Sequence, residues 1–119
     1  MARFKIVKRP VSVLARLKAI ARRHPSLLKP GYPGKVGSLA GHCYIICEAL
    51  CACFPGRYRP HYVRHEGGTH WYLVGPRGVV DPTVSQFKTT PPYDQGRACG
   101  FLTRHTSARA RRLLAILNY

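Results

Sequence analysis

Thr69-His70-Trp71-Tyr72-Leu73-Val74-Gly75-Pro76-Arg77-Gly78-Val79-Val80-Asp81-Pro82 reads as two strands, 69–74 and 78–81, joined by a tight turn. Aromatic and β-branched residues bounded by Gly and Pro are the marks of a hairpin. With Pro76-Arg77 as a two-residue loop, Tyr72 faces Asp81, and His70 is the diagonal neighbour of Asp81 on the same side. A four-residue loop places His70 directly opposite Asp81. Both registers put imidazole and carboxylate on one face, whereas a one-residue bulge separates them.

The segments on either side extend this into an α+β pattern. Residues 61–65, His61-Tyr62-Val63-Arg64-His65, read as a strand that turns at Glu66-Gly67-Gly68. Before it, Leu39–Phe54 is apolar on nearly every side, the pattern of a central helix covered all round, and Pro55-Gly56 stops it. Val11–His24 reads as an amphipathic helix, with Val13, Leu14, Leu17, Ile20 and Ala21 on one face and Arg16, Lys18, Arg22 and Arg23 on the other. His24-Pro25 ends it, because the residue before proline is pushed out of the α region. Residues 25–37 hold three prolines and three glycines and read as loop, as do residues 85–100. Ser107 is the expected N-cap of a last helix, Ala108–Leu117, with Ala110, Leu113, Leu114 and Leu117 inward.

At 119 residues the chain is expected to be a single domain. Its parts are a basic N-terminal helix and loop (1–37), a core (38–104) and a C-terminal helix (105–119). Net charge is +16, and it is uneven: residues 1–35 carry ten Lys and Arg, while all four acidic residues lie in the middle block. Basic ends of this kind favour nucleic acid, anionic lipid or an acidic protein partner. No apolar run reaches a membrane span, since Glu48 interrupts the longest one, and no secretory signal is evident. Of five cysteines, Cys43, Cys47 and Cys51 recur every four residues along one helix and are badly placed to bridge. A reducing, cytoplasmic setting is therefore expected.

Cys43, His70 and Asp81 stand in the order that a nucleophile, its base and the base's orienter require. A thiol attacks as thiolate, and a helix start and a nearby imidazolium both favour that form. Cys43 lies where a helix begins; Cys47 and Cys51 lie deeper and read as core; Cys53 and Cys99 carry no such argument. His42, Trp71 and Tyr93 are expected as walls of the substrate pocket. Zinc is the competing use of the Cys and His residues. Yet no Cys-x-x-Cys pair exists, and Cys51-x-Cys53 is not a usual zinc spacing, so neither a metal nor another cofactor is expected. Tyr58 and Tyr62 beside arginines are candidate base-stacking residues in the alternative of a non-catalytic nucleic-acid or acidic-protein binder.

The stretches Gly41-His42-Cys43-Tyr44, Thr69-His70-Trp71-Tyr72 and Val80-Asp81-Pro82-Thr83 resemble the papain-like and transglutaminase-like cysteine enzymes. The Cys, His, Asp order and the short hairpin resemble the transglutaminase-like branch and the bacteriocin-leader-cleaving peptidases. Asp81–Phe87, with Pro92-Tyr93 and Gly100-Phe101-Leu102-Thr103, is also similar to short proteins of phage and bacterial genomes. The resemblance spans about residues 38–104. It implies a minimal papain-like domain and a thioester-forming hydrolase or acyl transferase (peptidase, deamidase or transglutaminase-like). Cys43 would be nucleophile, His70 base and acid, Asp81 orienter, and the substrate a protein or peptide, acidic by charge complementarity. Papain-like peptidases carry an oxyanion-donating Gln shortly before the Cys, where this chain has Gly37 and Ser38. The Cys43 N–H serves as one donor, and the second is unassigned.

Overall fold

Pro10 opens the first helix, α1 (Pro10–Arg23), because a proline at this position gives up an N–H that has no helical partner anyway. A computed structural model describes residues 9–27, 42–102 and 105–118; the expected loop from 28 to 37 and the sites at Gly37 and Ser38 lie outside them. The fold is α+β. Its other elements are α2 (Cys43–Cys53), β1 (Arg59–His65), β2 (Gly68–Gly75), β3 (Gly78–Val80), β4 (Arg97–Ala98) and α3 (Ala108–Leu117).

The four strands form one antiparallel sheet in the order β3-β2-β1-β4. Gly75 pairs with Gly78 and Leu73 with Val80, the register of the two-residue Pro76-Arg77 loop. The β1–β2 turn is Glu66-Gly67, with φ of 47° and 82°. Two positive φ values in succession match the right-handed twist of the flanking strands. Part of the stretch expected as loop, 85–100, is ordered: two short 3-10 turns, Val84–Gln86 and Tyr93–Gln95, precede β4, which pairs with His61 and Tyr62. A two-residue strand has no periodicity to read, so only the edge of β1 defines it.

α2 is the central element, packed by α1 and α3 and lying against β2. Ile45 to Leu50 are all buried, as the absence of a polar face predicts. This includes Glu48, 3% exposed. A carboxylate there must be satisfied or it destabilises by several kcal/mol. Ser107 supplies two donors, its N–H at 2.9 Å and its Oγ–H at 2.6 Å. The same Oγ accepts from the Ala110 N–H at 3.3 Å and caps α3. Arg16 on α1 donates to the carbonyl of Leu117 at 2.7 Å, so one of the cations on the polar face of α1 neutralises the far end of α3. The side chains that enter the core from these helices are Val13, Leu17 and Ala21 from α1 and Ala110, Leu113 and Leu117 from α3. Among the described residues no helix is long and apolar enough to cross a membrane.

Replacing Ser107 with Ala removes a helix cap and, at the same time, the donor to Oε1 of a buried carboxylate, leaving only the backbone N–H on Oε2. The expected loss of stability is about 2 kcal/mol, toward the upper end for a cap alone. Urea denaturation of Ser107→Ala and of the exposed control Ser85→Ala measures it, and the control is expected to change by less than about 0.5 kcal/mol.

Candidate active site

Cys43, His70 and Asp81 come from three elements that meet at one end of α2. Cys43 is the first residue of the helix, and His42 before it accepts the opening helical bond, from the Ile46 N–H to the His42 carbonyl at 3.1 Å. Cys43 is half-buried and lines a pocket of about 240 Å³ with His70, Gln86 and Phe87 and with His65, Glu66, Gly68 and Thr69. His70 pairs with Val63 in the middle of the β1–β2 ladder and is 1% exposed. Asp81 lies one residue past the end of β3.

The carboxylate of Asp81 organises the site. Its Oδ2 accepts from His70 Nε2–H at 2.7 Å and from the Tyr93 hydroxyl at 2.6 Å. Its Oδ1 accepts from the Thr83 N–H at 3.3 Å. The turn-capping role that a carboxylate before Pro82 suggests and the histidine contact are therefore made by the same group. With Nε2 committed to Asp81, the buried Nδ1 has no partner at hydrogen-bonding geometry and is the nitrogen available to the thiol. The Ser-His-Asp template uses the two ring nitrogens the other way round. The face of the ring lies 22° from parallel to Tyr72 at 6.3 Å, and Phe87 meets its edge at 4.5 Å.

Burial by itself pulls the His70 imidazole down, but the bond to Asp81 and the nearby Cys43 outweigh it, and the ring is pushed up to about 9. Imidazolium is thus its resting form at neutral pH. Burial raises the Cys47 thiol well above its ordinary value, with Cys43 and Asp81 adding to the effect, and it raises Cys51, beside Glu48, to about 11. Cys99 is raised by burial too. All five cysteines are free thiols. Among the described residues no group of three His, Cys, Asp or Glu side chains is placed to hold a metal ion.

The three residues expected as pocket walls fare differently. Tyr93 is not a wall of the Cys43 pocket: its hydroxyl holds Asp81, and burial and the carboxylate push that hydroxyl's pKa upward, so it remains a donor. Tyr72 fixes it by donating to the Tyr93 carbonyl at 3.2 Å. A Cβ on Gly96 would come 1.7 Å from that Tyr72 hydroxyl, so only glycine fits beneath it. Trp71 packs among Tyr44, Tyr62 and Phe101 and lines a different groove, with Cys99 and Leu102. His42 is buried, 1% exposed, and does not line the Cys43 pocket.

Four contributors were not singled out from the sequence. Thr83, fully buried, accepts from Gln86 Nε2–H at 2.7 Å and so aims the carboxamide beside the thiol. Glu66 Oε2 accepts from the N–H groups of Lys88 and Thr89 at 3.0 and 3.1 Å and from the Thr89 hydroxyl, which ties this loop, and Phe87 with it, to the β1–β2 turn. The tight spacing Asp81, Thr83, Gln86, Phe87 after a strand end is the sequence signal that points to the three on this loop, whereas Glu66 reads only as part of the β1–β2 turn.

Two measurements follow from these geometries. Brief iodoacetamide treatment at neutral pH with peptide mapping is expected to label Cys43 ahead of Cys47, Cys51, Cys53 and Cys99, and His70→Ala is expected to slow that labelling. Even labelling of all five would contradict it. The second concerns stability against pH. The His70 value rises from about 6.5 in the unfolded chain to about 9 on folding, so the folded state binds the extra proton. The stabilisation is full below pH 6.5 and is lost as pH rises through 9. The melting-temperature gap between wild type and His70→Gln is expected to be widest near pH 6 and to shrink by pH 10.

Comparison with protein-family models, with curated proteins and with solved structures finds no match, so the reading of this site rests on its own geometry.

Proposed function

We propose that the protein is a cysteine-dependent hydrolase or acyl transferase acting on an amide or ester carbonyl. The observation that carries this reading is the buried Asp81–His70 bond at 2.7 Å in the same pocket as a thiol at a helix start. A histidine held by a carboxylate through one nitrogen and left open toward a cysteine through the other is the arrangement that nucleophilic thiol catalysis needs.

In this reading the Cys43 sulfur attacks the carbonyl carbon, and the carbonyl π electrons move onto oxygen. The Cys43 N–H and the second Nε2–H of Gln86 receive the oxyanion, the carboxamide being held by Thr83 before substrate arrives. Collapse expels the amine or alkoxide, which takes a proton from the His70 imidazolium, and leaves a thioester on Cys43. His70, now neutral, removes a proton from water or an acceptor amine as it attacks the thioester, and collapse expels the Cys43 sulfur and restores the starting site. Asp81 keeps the ring oriented and stabilises its charged form throughout. The bond to Asp81 favours the charged ring, the form that donates a proton to the leaving group. The papain-like and transglutaminase-like resemblance of the Cys43, His70 and Asp81 segments agrees with this chemistry.

Cys43→Ala and His70→Ala are each expected to abolish turnover of an activated ester or amide, and the double variant to be no worse than either, because both disable one step. Asp81→Asn is expected to lose less, while Tyr93 and Thr83 still hold the side chain. Thermal melts separate this from a packing role: full activity per folded molecule in His70→Ala would refute the assignment.

A further inference from the structure

A second groove lies away from Cys43 and has a different chemistry. It encloses about 670 Å³ and draws its walls from the start of α1 (Arg9, Pro10, Val11), the α2–β1 turn (Arg57, Tyr58) and the β2–β3 turn (Pro76, Arg77). Three segments distant in sequence thus bring three arginines to one concavity, and no carboxylate lines it. Among the described residues none of the three guanidiniums has a carboxylate or hydrogen-bond partner, Arg57 lying 6.0 Å from the Tyr58 ring centroid.

Like charges gathered around one concavity repel one another and raise a positive potential that a bound anion turns into attraction. Arginine's fork suits phosphate oxygens in particular. Between the guanidiniums the wall is apolar and aromatic. Val11 is 80% exposed there, and Tyr58 is seated by Gly75, whose missing side chain leaves room for the ring: a Cβ would be 2.9 Å from it. A ligand that alternates phosphates with flat apolar faces fits that pattern, and a solvated charged face does not need it.

We propose that this groove binds single-stranded nucleic acid, with Arg9, Arg57 and Arg77 on the phosphates and the Tyr58–Val11 wall against a base. The site is distinct from the Cys43 pocket, and it places nucleic-acid contact on two turns of the sheet core as well as on a basic end of the chain.

Fluorescence anisotropy with labelled dT12 between 50 and 200 mM salt tests it. The variant Arg57→Gln/Arg77→Gln is compared with Arg111→Gln/Arg112→Gln, which removes the same charge from the exposed side of α3. Both pairs are exposed, and melts verify folding. The groove variant is expected to flatten the plot of log affinity against log salt by about 1.4, about 0.7 for each lost single-strand phosphate contact, and the α3 variant by less than half of that. Equal losses would mean diffuse charge and overturn the site, as would absence of binding at 50 mM salt. Equal affinity for a duplex of the same length, or displacement of dT12 by millimolar inorganic phosphate, would overturn the single-strand assignment. Cys43 labelling by iodoacetamide is expected to be the same in all these variants, so the result is read independently of the catalytic proposal.

Discussion

The Asp81 carboxylate is the constraint to which the functional half of the molecule is built. A carboxyl side chain 4% exposed needs hydrogen-bond donors on both oxygens in place of water. It obtains them from β2 through His70, from its own turn through Thr83 and from a 3-10 turn twelve residues on through Tyr93. Meeting that demand sets the path of residues 82–95, a stretch without long helices or strands. The path is secured again by Tyr72 on the Tyr93 carbonyl and by Glu66 on the Lys88 and Thr89 amides. Phe87 and Gln86 reach the thiol because the loop is held at both places.

The chain's second buried carboxylate obeys the same rule with different donors. Glu48 in α2 is satisfied by the amide and hydroxyl of Ser107. The chain has twenty Lys and Arg, yet among the described residues neither buried acid takes one as its partner. Burying a guanidinium or ammonium beside them would add a second desolvation penalty, which the neutral donors Ser107, Tyr93 and the Thr83 amide avoid. The positive charge consequently stays at the surface, where turn geometry decides which arginines share a groove.

Position along one helix separates three chemically identical cysteines. Cys43 occupies the first turn and opens to a pocket, whereas Cys47 and Cys51 face the interior, one and two turns deeper, and burial holds their thiols protonated. Reactivity and packing are thus divided by a spacing of four residues, the interval that keeps side chains on one helical face while moving them away from its positive end.

Local chemistry was enough to read much of this from sequence. The amphipathic stripe of α1, the all-apolar α2, the Ser107 cap and the Pro76-Arg77 turn depend on periodicity and turn residues, which act over a few positions. The two-residue hairpin then placed His70 and Asp81 on one face without reference to anything distant, so that contact was legible. The remainder was not. That Tyr93 would hold Asp81 rather than line the pocket, and that Trp71 would pack into a separate aromatic cluster, depended on where a loop crosses the sheet. The same holds for Thr83 and Gln86 beside the thiol, for β4 on the edge of β1 and for the gathering of Arg9, Arg57 and Arg77. Each joins groups far apart in sequence, or on turns without a repeating pattern, and is fixed only when burial forces polar groups to find partners across the folded chain.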